Sequence, residues 1–270
     1  MAELTPDDVV PQSSPSRKTP WGCLIALGIV VAFLAWLIPA VRNAREAARR
    51  MGCESHLNQL ELAFHNYHDM YGSFPPAYVP DADGKPMHSW RVLILPFIDQ
   101  VAVYRQYHFN EPWNGPNNSK LSGQIHNDFY QCPSGILEDN SYHTNYVVIT
   151  GSGTPFPDSS STTMEDFKDG TENTILIVEI ANSDIHWMEP RDLKFDEMSF
   201  VVNDPMKPSI SSPHPAGSAV VFADSISAYR PGKSLRPETL KALITIAGGE
   251  NVSKKTLIRK NEWTHRELGE

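Results

Sequence analysis

His214, Glu179 and Asp224 are the residues whose types most invite a chemical reading. A histidine beside carboxylates can pass a proton near neutral pH, and the three meet if strands over 174–180 and 218–222 pair. The same grouping also serves as a pin that holds a loop. Other candidates have less behind them. His65 and His68 stand three residues apart on a helical stretch with Asp69 beside them. No H-E-x-x-H is present, so they read as packing residues rather than zinc ligands. Asp166, Asp169 and Asn173, with Glu172, gather oxygen atoms around Gly170, which is the composition of a Ca2+ loop. Their spacing is not that of an EF-hand, and Asp169-Gly170-Thr171 is also a plain turn before a strand. The expectation is no cofactor, with Ca2+ as the alternative. No G-x-S-x-G occurs and no catalytic set is assigned, so the chain reads as a non-enzyme. Trp90, Trp113, Trp187 and Trp263 form either a sugar-binding face or core contacts.

Of three cysteines, Cys23 lies in an apolar run, and Cys53 and Cys132 lie beyond it. The absence of C-x-x-C excludes a zinc knuckle or a thioredoxin-type pair. Cys53 and Cys132 form one disulfide in an oxidising compartment or remain buried thiols in a reducing one, and spacing does not choose between these. The net charge of −9 repels phosphate backbones, so nucleic acid is not an expected partner.

These residues need elements to position them. Residues 1–20 are rich in Pro, Ser and Asp and read as a disordered tail. Thr19-Pro20 then starts a helix, with a capping hydroxyl ahead of a proline at the first helical position. The uncharged stretch between Lys18 and Arg42 is about 34 Å long as a helix, against about 30 Å of hydrocarbon in a bilayer. Trp21 and Trp36 sit towards its ends, where indoles favour the interface. A transmembrane helix over 21–41, with Trp21 and Val41 at its limits, is the reading. Pro39 kinks this helix without ending it. Alanine, arginine and glutamate then carry the same helix onward, and Leu57, Leu60, Phe64, Tyr67 and Tyr71 form one apolar stripe. Gly72 and Pro75-Pro76 stop it. The spine over 42–76 therefore leads into a folded domain over 77–270.

Within that domain, "SWRVLILPFIDQVAVYRQYHF" reads as two helical pieces re-entered at Pro96. Residues 144–151 and 174–180 read as strands, and 218–230 as a hairpin turning at Ala223-Asp224-Ser225. Residues 236–250 read as a short helix closed by Gly248-Gly249. A helix first and strands later is an α+β order.

The blocks "PAVRNAREAARRMGC", "NQLELAFHNYHDMYGSFPP", "SWRVLILPFIDQ", "YQCPS", "TNYVVITG", "DGTENTILIVE", "HPAGSAVVFADS" and "LITIAGGE" resemble, in that order, a bacterial family. It is the domain of unknown function 1559 group, itself often described as similar to the major pseudopilins of type II secretion. Asn145, Asp169, Glu179, His214, Asp224 and Glu250 stand at family-motif positions. The resemblance implies a pilin-like amino-terminal helix and an extracytoplasmic α+β domain with an antiparallel sheet. It implies no reaction. Pro39 matches the proline that kinks the pilin-type helix. "RKTPWGCLIALG" departs from the pattern, because the processing signal and its glutamate are missing. Ser225 also stands where the family tends to have glycine.

The resemblance implies a single-pass protein of the bacterial inner membrane with its carboxy-terminal domain outside the cytoplasm. Arg42, Arg45, Arg49 and Arg50 outnumber Arg17 and Lys18, and this charge bias alone favours the opposite orientation. We adopt the orientation of the resemblance. The oxidising compartment then predicts a Cys53–Cys132 bridge. The expected partners are the lipid bilayer and other envelope proteins or pilin-like subunits. The alternative is a membrane-tethered module that binds glycan or solute. The apolar run has no acidic residue but has Gly22, Ala26, Gly28, Ala32 and Ala35, small residues that let helices approach. The expectation is a tethered monomer or weak oligomer that keeps residues 1–20.

Overall fold

The computed structural model describes residues 20–124, 129–135, 142–215, 217–224, 228–232, 235–250 and 252–253. The tail expected over 1–20, apart from Pro20, lies outside these residues, as do Ser225 and Trp263. One helix, α1, runs from Pro20 to Tyr71 with Pro39 inside it. The chain divides into two units, residues 1–45 and 46–270, so the second half of α1 belongs to the folded unit.

In the first unit α1 is the one helix among the described residues long and apolar enough to cross a membrane. Trp21 and Trp36 are 75% and 72% exposed among the described residues.

In the second unit the stripe meets its core. Leu57, Leu60, Ala63 and Phe64 are fully buried, Tyr67 packs at the margin, and Tyr71 is exposed. Gly72, at φ +77°, donates its amide to the His68 carbonyl at 2.7 Å and stops the helix in a conformation that favours glycine. A hairpin follows, β1 (Tyr78–Pro80) against β2 (Pro86–Ser89). Ser89 caps α2 (Trp90–Leu93), and a 3-10 turn through Pro96 leads to α3 (Val101–Tyr104). The two helical pieces expected around Pro96 are therefore present but one turn each.

The central sheet is antiparallel. It has the order β3 (Tyr146–Val147), β5 (Ile175–Glu179), β7 (Val220–Phe222), β8 (Ala228–Tyr229). The strand expected over 144–151 is broken at Val148, whose amide is taken by Asp192 Oδ1 at 3.0 Å. The chain then leaves the central sheet. β4 (Ile149–Thr150) pairs in parallel with β6 (Leu193–Lys194) instead.

Every residue of β5 is buried, so both sheet faces are covered. Tyr146, Val148, Ala219, Val221 and Ala223 face the core that holds Leu57, Leu60 and Phe64 of α1. Val147, Ile149, Val220 and Phe222 face a second core with Leu240, Leu243 and Ile244. β5 slips by one residue between Ile175 and Ile177, and Leu176 and Ile177 both join the α1 core. A bulge of this kind re-aims the side chains that follow it. Val178 returns to the second core, and Glu179 falls on the α1 side opposite Tyr146.

The helix read over 236–250 is shorter, α4 (Pro237–Ala242). Gly248 and Gly249 do not close it, because their amides bind the Asp169 carboxylate at 2.7 and 3.0 Å.

Candidate functional site

Four segments distant in sequence bring ligand-type side chains together beside α1. Cys53 extends the apolar stripe, lying one helical turn before Leu57, and is fully buried. Cys132 lies in the loop after Tyr130. Its amide donates to Asn145 Oδ1 at 2.9 Å, while Asn145 Nδ2 donates to the Ile180 carbonyl at 2.9 Å. Asn145 thus ties the cysteine loop to the end of β5, where Glu179 sits. His214 lies in a turn closed by the Gly217 amide on its carbonyl, 3.1 Å, with Gly217 at φ +95°. Ser212 Oγ accepts the His214 amide at 3.2 Å.

Cys53 and Cys132 are joined as a disulfide, with Cα atoms 5.2 Å apart. This is the expected bridge. His214 Nε2 lies 3.1 Å from each sulfur and 4.0 Å from Glu179 Oε1. The donor atoms of Cys53, Cys132, Glu179 and His214 all lie within 4.8 Å of one another, and all four residues are buried. Glu179 Oε2 accepts the Ala219 amide at 3.0 Å, but Oε1 accepts no hydrogen bond among the described residues. Burial raises the Glu179 carboxyl above its ordinary range, against the pull of that amide, of the Ser212 hydroxyl and of the His214 and Arg230 charges.

The other ring nitrogen of His214 is fixed from α1. Nδ1 lies 2.5 Å from Glu46 Oε1. Glu46 Oε2 in turn accepts from Arg49 at 2.6 Å and from Ser134 at 3.3 Å. The His214 hydrogen bond is the largest influence that holds Glu46 below the usual carboxylate range. In the neutral ring a carboxylate at that distance favours the proton on Nδ1, the tautomer that turns the Nε2 lone pair towards the sulfurs and Glu179. Arg230 closes the near side, donating to Glu54 of α1 at 2.7 Å and to the Gly217 carbonyl.

The pairing of β5 with β7 brings Glu179 and His214 together as expected. Asp224 is not part of the converging set; it acts on the charge of His65 on α1. His65 and His68 both pack on Phe74, with ring centres 5.6 and 5.1 Å away. Sequence reading passed over Glu46. The signal was its place seven residues before Cys53, on the same helical face as the stripe.

The calcium candidates use their oxygens separately. Asp166 Oδ2 accepts from the Thr163 amide and hydroxyl, Asp169 holds Gly248 and Gly249, and Asn173 Nδ2 donates to the Asp169 carbonyl. Glu250 follows the Gly248-Gly249 turn that Asp169 holds. Trp90 and Trp187 are core residues with no exposed face, and Trp113 is partly buried against His186.

A family model described as a protein of unknown function (DUF1559) matches residues 42–204, over half of the chain. Glu46, Cys53, Cys132 and Glu179 fall inside the match, and His214 falls beyond it. No curated protein and no solved structure matches the chain.

Proposed function

We propose that this chain, which belongs to the DUF1559 family, is a single-pass envelope protein of the bacterial inner membrane, with its folded unit outside the cytoplasm. It works by contact with other envelope proteins or pilin-like subunits, without catalysing a reaction. The observation that carries the reading is the Cys53–Cys132 bridge on the helix that also holds the apolar run. Disulfides persist in oxidising compartments. One long amino-terminal helix followed by an antiparallel sheet is also the pilin-like order. Cys53, Cys132, Glu179 and His214 are all buried, which supports a non-catalytic role.

A groove of about 620 Å³ supports a second reading, a tethered module for a polar solute or glycan. It is lined by Asn182, Asp184, Arg191, Lys194, Asp204 and Lys207 among others. Calorimetric titration with oligosaccharides tests it.

A carboxy-terminal alkaline phosphatase fusion tests the main reading. Activity in intact cells is expected. A fusion that is expressed in full and inactive, while a cytoplasmic reporter at the same position is active, overturns it.

A further inference from the structure

We propose that Cys53, Cys132, His214 and Glu179 form a closed Zn2+ site in the reduced protein, with the disulfide as its metal-free, oxidised alternative. The donors are two sulfurs, one imidazole nitrogen and one carboxylate oxygen. That set suits a borderline-soft, tetrahedral ion. Bonds of about 2.0–2.3 Å place tetrahedral ligand atoms about 3.3–3.8 Å apart. His214 Nε2 already lies 3.1 Å from each sulfur and 4.0 Å from Glu179 Oε1.

Two observations point to a ligand independently of this proximity. Glu179 Oε1 is fully buried and accepts no hydrogen bond among the described residues, and it is turned into the cluster. A buried carboxylate oxygen without a partner is costly, and a cation satisfies it. His214 also has a carboxylate behind it, with Glu46 Oε1 2.5 Å from Nδ1. In the tautomer that this carboxylate favours, Nδ1–H donates to Glu46 and Nε2 offers a lone pair to the centre. A carboxylate behind a histidine that faces an ion is the usual support of zinc ligands.

A dithiol donor breaks the sulfur–sulfur bond, supplies two electrons and two protons, and leaves as its own disulfide. Zn2+ then displaces the two thiol protons to solvent and is held by both thiolates, Nε2 and Oε1. Low-molecular-weight disulfide reverses this. It accepts the two electrons of the thiolate pair and two protons from solvent and is reduced to two thiols, while the protein bridge closes and the ion leaves.

All four ligands come from the protein and are buried, which describes a structural site. The ion links α1, the loop at Cys132, the end of β5 and the turn at His214. Sequence reading excluded only short-spaced motifs; these ligands stand 79, 47 and 35 residues apart.

The test is Co2+ titration of the full-length protein in detergent micelles, reduced and oxidised, followed by visible and near-ultraviolet absorption. The reduced protein is expected to bind one equivalent, with a thiolate-to-cobalt charge-transfer band and tetrahedral d–d bands that Zn2+ removes. The oxidised wild-type chain is expected to give neither band. Cys132→Ser is expected to abolish the charge-transfer band, and Glu46→Gln to weaken binding about 10–100-fold. Lack of a charge-transfer band in the reduced protein at saturating Co2+ overturns the proposal. Equal binding by the oxidised protein overturns it too, and that comparison needs no variant that must fold.

Discussion

His214 Nδ1 lies 2.5 Å from Glu46 Oε1, so a turn between strands is fastened to the stretch of α1 just past its apolar half. Glu46→Gln keeps the shape and removes the charge. A loss of about 1–2 kcal/mol in unfolding free energy is expected, as for a charge-assisted bond at a partly exposed site. Urea melts of wild type and variant in the oxidised state check this, and equal midpoints contradict it.

Arg91 and Asp192 form the second fastening, wholly inside the domain. The guanidinium is fully buried, 2.6 Å from Asp192 Oδ1, and also donates to the Tyr146 carbonyl at 2.9 Å. Asp192→Asn leaves a buried cation without its counter-charge, and a loss of roughly 3–5 kcal/mol is expected. Asp184→Asn breaks an exposed pair with Arg191 and is expected to change stability by under about 1 kcal/mol. Similar losses in the two variants contradict the assignment.

The bridge itself closes a loop with a sequence separation of 79. In the chain-entropy picture it contributes about 4 kcal/mol. With a chelator present, reduction is expected to lower the urea midpoint accordingly. A Cys53→Ala, Cys132→Ala double variant is expected to be insensitive to reductant. A wild-type midpoint that does not move on reduction contradicts this.

Acid sensitivity follows from His186, which burial among Trp113, Tyr142 and Trp187 holds down to about 4, with Glu189 and His143 acting in opposite senses. Its folded-state value lies below the unfolded one of about 6.5. The unfolded chain therefore takes up the proton first. The stability that His186 contributes is complete above about pH 6.5 and is lost as pH falls towards about 4. His65 and His88 are lowered by burial in the same direction. His186→Gln is expected to show a smaller drop in urea midpoint between pH 7.5 and 5 than wild type. An equal or larger drop contradicts it.

Much of this arrangement is legible in the residues. Pro20 and Gly72 bound α1 because a fixed φ and a left-handed cap have local causes. The pairing that brings Glu179 near His214 follows from two β-rich runs. Long-range competition hides the rest. Val148 breaks a strand because Asp192, far along the chain, takes its amide. Gly248-Gly249 looks like a helix stop, but Asp169 claims its amides. Nothing in "SWRVL" marks Arg91 for burial, because its counter-charge Asp192 lies 101 residues further on. The bulge after Ile175, which turns Glu179 towards α1, has no signature in the β-rich run itself.

The compartment of the folded unit decides between an envelope role and a cytoplasmic one. Cells are quenched in acid, and the membrane fraction is denatured with chelator and alkylated before mass analysis. The chain has three cysteines, and Cys53 and Cys132 are bridged. The expected result is one alkyl adduct, on Cys23, rising to three after reduction. Three adducts without reductant, from a membrane fraction that holds no zinc before the chelator is added, place Cys53 and Cys132 in a reducing compartment as free thiols and contradict the extracytoplasmic reading.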